Sequence, residues 1–112
     1  MKINQRQREG VTILDCKGKI TIGVGDVALR NAVQDAMNGG ATNVLINLKD
    51  VTTIDSSGVG ELVGVFTSAS NRGVKLKLAN LPDKVQDVLT ITQLITIFEV
   101  YDSEDEAVAS FA

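Results

Sequence analysis

The sequence predicts an α/β domain: a mixed, mostly parallel β-sheet of four to five strands with about four α-helices, led in by an antiparallel hairpin. Three observations carry this. Strand-like and helix-like stretches alternate after residue 20. Val44, Leu45, Ile46 and Leu48 form a short, nearly continuous apolar run, the pattern of a strand covered on both faces as in a parallel sheet. Parallel strands joined through helices require right-handed crossovers, which fit that alternation. With 112 residues and 44% hydrophobic content, the chain is expected to fold as one domain over residues 1–112 and to bury a core without staples.

Taken in order, "KINQRQR" is polar and reads as an edge strand, turning near Glu9 and Gly10 into the strand "VTILDCKGKI". Leu29, Ala32, Val33, Ala36 and Met37 fall at i, i+3, i+4, i+7 and i+8, an amphipathic helix with Asp26 as N-cap and Gly39 and Gly40 as its stop. A central strand is placed at residues 43 to 49. The helical spacing recurs at Val59, Leu62, Val63, Phe66 and Ala69, closed by Gly73. "GVKLKLAN" alternates Val74, Leu76 and Leu78 against Lys75 and Lys77, a strand with one face more open to water. Pro82 suits a first helical position, opening a short helix that buries Val85, Val88 and Leu89. "ITIFEV" reads as the last strand, and Ser103 with Glu106 makes a capping-box signature for a terminal helix carrying Ala107, Val108 and Phe111.

Composition removes several function classes. Net charge is −3 and the Lys and Arg residues are scattered, so no basic stripe offers a footprint for a phosphate backbone, and nucleic acid is not an expected partner. The apolar runs are far shorter than the roughly 20 residues of a membrane span, and "MKINQRQREG" lacks the apolar core of a signal peptide. The expected location is the cytoplasm. The chain has no histidine and one cysteine, Cys16, so a Ser-His-Asp hydrolase, a Cys/His zinc set and an internal disulfide are excluded.

Two glycine-bearing stretches draw attention. "GVGDVA" (Gly23 to Ala28) matches G-x-G-x-x-A, but Asn43 and Val44 stand where a ribose-binding acid would be needed, which favours a glycine turn capped by Asp26 over a dinucleotide site. "VTTIDSSGVGELVG" (Val51 to Gly64) sets Asp55, Ser56 and Ser57 before Gly58, Gly60 and Gly64 at a strand-to-helix junction. One cap needs one residue, so three capping types in a row exceed what a helix start requires. The surplus is a hydroxyl at the electropositive end of a helix, where a phosphoryl group would be welcomed by backbone N–H groups and the helix dipole. With Val59, Leu62, Val63 and Phe66 turned to the core, Gly60, Gly64, Val65, Thr67 and Ser68 are left toward solvent with Glu61 the one charge nearby, a small, weakly charged face suited to docking.

These residues resemble the STAS-domain anti-sigma factor antagonists of bacteria. The resemblance runs nearly end to end and rests on "INLKDVTTIDSSGVGELVG" (Ile46 to Gly64), extended by "GKITIGVGD", "GVKLKLAN" and "DSEDEAVASF", with Val59 in place of the commoner Leu. It implies phosphorylation at Ser56, with Ser57 the adjacent alternative, and Asp55 as the acid that positions the hydroxyl or its phosphate. The implied contact surface comprises Asp55, Ser56, Ser57, Gly58, Gly60, Glu61, Gly64 and Val65. The implied partners are an anti-sigma factor serine kinase, bound by the unphosphorylated form so that a sigma factor is released, and a metal-dependent serine phosphatase that resets the switch. No catalytic residue, cofactor or metal is expected in the chain itself. The competing readings are a STAS scaffold subunit of a stress-signalling or lipid-transport assembly, and a small enzyme or nucleotide-binding domain using "GVGDVA" or the glycine-rich junction.

Overall fold

The computed structural model describes residues 1–112. Its elements are β1 (Lys2–Arg8), β2 (Val11–Ile20), α1 (Asp26–Asn38), β3 (Asn43–Ile54), α2 (Ser56–Asn71), β4 (Lys75–Ala79), α3 (Asp83–Ile91), a 3₁₀ turn (Leu94–Ile97), β5 (Val100–Tyr101) and α4 (Glu104–Ser110). The five strands lie in the order β1-β2-β3-β4-β5. β1 and β2 are antiparallel, joined where Glu9 and Gly10 both take positive φ, and the other pairs are parallel.

Alternation along the strands divides the core. In β3, Val44, Ile46 and Leu48 face the helices α1, α2 and α3 in a cluster of 20 buried residues, while Leu45 points the other way. There it meets Val11, Ile13 and Ala79 beneath α4, which contributes Ala107 and Val108, with Phe111 just beyond it. Each fully buried Leu or Ile contributes on the order of 1.5–3 kcal/mol relative to exposure, so both faces matter to stability.

This second layer corrects the expectation that one face of the "GVKLKLAN" strand is open to water. Lys77 is 5% exposed. Its ammonium donates to the carbonyl and hydroxyl oxygens of Ser110, each at 3.0 Å, and lies 4.6 Å from the ring centroid of Phe111. The long stem packs among apolar neighbours while the charge finds oxygens and an aromatic face at the rim.

Four element boundaries also differ from expectation. β3 runs to Ile54 rather than ending at 49, because residues beyond Asn47 continue to pair with β2 alone, Lys17 with Asp50 through Ile20 with Ile54, with register shifts between Asp15 and Lys17 and between Gly18 and Lys19 at which β3 carries an extra residue. "ITIFEV" does not form a strand: Leu94–Ile97 winds as a 3₁₀ turn, and pairing is confined to Val100 and Tyr101. Asp26 is the first residue of α1 rather than its cap, which is Gly25 at φ 155°, where a Cβ would run into the carbonyl of Lys19. Pro82 likewise precedes α3, whose buried residues are Val85 and Leu89.

Charge fastens α4 to the hairpin. Arg6 bridges Asp15 (2.6 Å) and Glu104, and Arg8 reaches Glu104 and Asp105, each at 2.7 Å. The Arg6 guanidinium holds the carboxyls of Asp15 and Glu104 below their usual range. Cys16 is buried in β2, and loss of water around the thiol, helped by the Asp15 charge, pushes its pKa up to about 12.

Candidate functional site

β2 and β3 end side by side at the carboxyl edge of the sheet, Ile20 paired with Ile54, so the segment leaving β2 and the turn entering α2 emerge together. Asp55 joins them. Its Oδ1 accepts from the N–H of Gly58 at 2.9 Å, capping α2, and its Oδ2 accepts from the N–H of Ile22 at 3.0 Å, across to the segment before α1. These two backbone donors, Gly58 first, lower the carboxyl's pKa, so it is charged at neutral pH. Gly58 is required for this approach. A Cβ there would run into the carbonyl oxygen of Ile20 and press on Ile54.

With the cap supplied by Asp55, the hydroxyls that follow are surplus. Ser56 is the first residue of α2 and is exposed, and Ser57 is half-buried. Gly60 and Gly64 are exposed one and two turns on, and a Cβ at Gly60 would meet nothing. Asp55, Ser56, Ser57, Gly60 and Gly64 therefore share an accessible surface. Gly58 does not, because it is buried against β2.

Val65 is likewise withdrawn from the expected contact surface, at 1% exposure. The stripe of α2 that faces the sheet is Val59, Leu62, Val65 and Ala69, whereas Val63 and Phe66 are partly buried on the neighbouring flank, where Phe66 meets Phe98 edge-on at 5.2 Å. Two adjacent apolar stripes on one helix satisfy the same periodicity, and tertiary packing, including the Phe66–Phe98 contact, selects between them.

Glu61 is present on this side but is not a bare charge. Arg30 of α1 donates to its Oε1 at 2.6 and 3.1 Å, leaving the Glu61 side chain 11% exposed. Gln34 to Ser68 and Arg72 to Asn38 repeat the cross-link farther along, so α1 and α2 run in the same direction as a pair with both N-termini at the carboxyl edge of the sheet.

The sequence pattern missed the apolar part of this edge. Ile22, Val24 and Val27 are 72%, 48% and 48% exposed. The available signal is that none of them falls on the Leu29, Ala32, Val33, Ala36, Met37 stripe of α1, so three large apolar residues lack a place in the core. "GVGDVA" itself is a turn: Asp26 Oδ1 accepts from the N–H groups of Gly23 (3.1 Å) and Val27 (2.8 Å), placing a carboxylate where a pyrophosphate would have to sit. The three surface cavities are lined by other segments, none including residues 20–30 or 51–64.

Comparison with known proteins agrees with this architecture. The STAS domain matches residues 2–107. A Bacillus subtilis protein named as an anti-sigma-B factor antagonist is 30% identical over 100 residues, covering 89% of this chain and 90% of the relative. A Thermotoga neapolitana protein named as the homolog of an anti-sigma factor antagonist is 31% identical over 99 residues, 88% of each chain. The crystal structure of a Thermotoga maritima protein described as an anti-sigma factor antagonist superimposes with a TM-score of 0.87 at 28% identity, covering 96% of this chain and 92% of that one.

Proposed function

From the premise that the chain belongs to the STAS-domain family, we propose that it is an anti-sigma factor antagonist, a single STAS domain over residues 1–112 that acts as a cytoplasmic regulator rather than an enzyme. Unphosphorylated, it binds an anti-sigma factor serine kinase and so releases a sigma factor. Phosphorylation of Ser56 ends that binding, and a metal-dependent serine phosphatase restores it. Asp55, Ser57, Gly60, Glu61 and Gly64 surround Ser56 as contact residues.

The observation that carries this reading is the exposed Ser56 hydroxyl at the start of a 16-residue helix whose cap is already supplied by Asp55. A phosphoryl group there adds about −1.5 to −2 charge where the helix dipole tolerates it, so the domain keeps its fold. The partner does not tolerate it equally. A dianion at the edge of a small, weakly charged face must be desolvated on docking, and a penalty of about 3 kcal/mol already reduces affinity more than a hundredfold.

The test is calorimetric titration of the purified kinase with wild type, Ser56→Ala and Ser56→Asp. Ser56→Ala is expected to bind like wild type and Ser56→Asp at least a hundredfold more weakly, with nearly the same Tm for all three. Equal affinity of Ser56→Asp and wild type would refute the switch. Mass spectrometry of the protein from cells then separates it from a scaffold subunit, for which no phosphoserine is expected within residues 55–58.

A further inference from the structure

Ile22, Val24 and Val27 place three of the chain's five exposed large hydrophobic residues within six positions, at the same sheet edge as Ser56. The acidic charges around them are already engaged. Asp55 is held by two backbone N–H groups, Asp26 by two more, and Glu61 by Arg30. What remains to face a partner is apolar or small apart from the exposed Lys19, and is continuous with the Ser56 turn through the Asp55 to Ile22 bond. An apolar surface on the serine kinase is the complement of such a face.

We propose that Asp55 is a positioning residue that joins the Ile22–Val27 segment to the Ser56 turn as one kinase-docking surface, and that a phosphate on Ser56 parts the two. The inference rests on the reading of Ser56 given above. A phosphate on the residue next to the cap seeks the N–H groups of the same helical turn. Gly58 N–H is held by one Asp55 oxygen and Ile22 N–H by the other. A dianion and a carboxylate on adjacent residues compete for these donors and repel each other. Asp55 is displaced, Ile22 loses its acceptor, and the apolar segment is released from its position beside Ser56 while the sheet stays intact.

The experiment uses the full chain with phosphoserine encoded at position 56, so it runs whether or not a kinase is in hand. Amide exchange followed by NMR is expected to be at least tenfold faster at Ile22 than in the unmodified chain, with Leu45 and Ile46 unchanged. Asp55→Asn, whose single carbonyl oxygen can cap Gly58 but not also hold Ile22, is expected to reproduce the effect without phosphate. Unchanged exchange at Ile22 in the phosphorylated chain, or in Asp55→Asn, overturns the coupling. For docking, Ile22→Ser combined with Val24→Ser is expected to weaken binding of the purified kinase at least tenfold at unchanged Tm, and equal affinity overturns the apolar half of the surface. A kinase that fails to bind wild type refutes the preceding reading and the docking half with it, while the exchange measurement still decides the role of Asp55.

Discussion

The starts of α2 and α4 are built from the same parts and arranged oppositely. Both helices are capped by a side chain that accepts from the third residue along, Asp55 from Gly58 and Ser103 from Glu106. At α4 the serine is itself the cap, and two of the acids behind it, Glu104 and Asp105, are tied to Arg6 and Arg8. At α2 a carboxylate does the capping, no acid follows in the first turn, and the serine beyond it faces outward. A helix start whose hydroxyl and leading charges are engaged holds the fold together. One that leaves a hydroxyl over at its electropositive end is available for chemistry.

The sharpest way to break this comparison is to disturb the α2 start from beneath. Gly58→Ala forces a methyl against the Ile20 carbonyl and is expected to cost about 1–3 kcal/mol in urea denaturation, since the obstacle is backbone. Next in size, Ser103→Ala removes the α4 cap and should cost roughly 1 kcal/mol, whereas Ser56→Ala should stay within about 0.5 kcal/mol of wild type. Equal losses at the two serines would erase the distinction. Gly60→Ala should move stability the other way, up by roughly 0.4–1 kcal/mol, because its Cβ meets nothing, and under the proposed function it should weaken kinase binding by crowding the proposed docking face.

The smallest effect concerns acid at α4. Asp15 and Glu104 have carboxyls lowered from 3.8 and 4.5 by Arg6, so their contribution is complete above those values and is lost as pH falls through the lowered ones. Because these side chains are partly solvated, the Arg6–Asp15 pair contributes less than about 1 kcal/mol after screening. Urea midpoints compared at pH 7 and pH 3 should fall in acid, and the difference should shrink in high salt. No such loss at low salt would leave α4 held by its apolar contacts alone.

How much of this was legible depends on whether a residue's environment is set by its neighbours in sequence. The hairpin, α1 and the Ser103 cap are local, and their residues foretold them. Strand alternation foretold two faces to β4, but the cover over Lys77 comes from a helix that starts 27 positions later in the chain, which no local pattern reveals. The α2 stripe failed for the same reason: Val65 and Phe66 are equally apolar, and tertiary packing decides which faces the sheet. Asp55, Ser56, Gly60 and Gly64 were recognisable because capping has known residue preferences, and three capping types in succession stand out against them. The bond from Asp55 to Ile22 was not, since it joins residues 33 positions apart through a backbone donor that carries no side-chain signature.

Cys16 has a practical consequence. A thiol sealed in β2 with its pKa near 12 stays protonated and beyond the reach of maleimides at neutral pH. A thiol introduced on the exterior, such as Thr67→Cys on α2, would then take a fluorophore at a single position, and partner exchange could be followed by emission from a chain whose native sulfur remains dark.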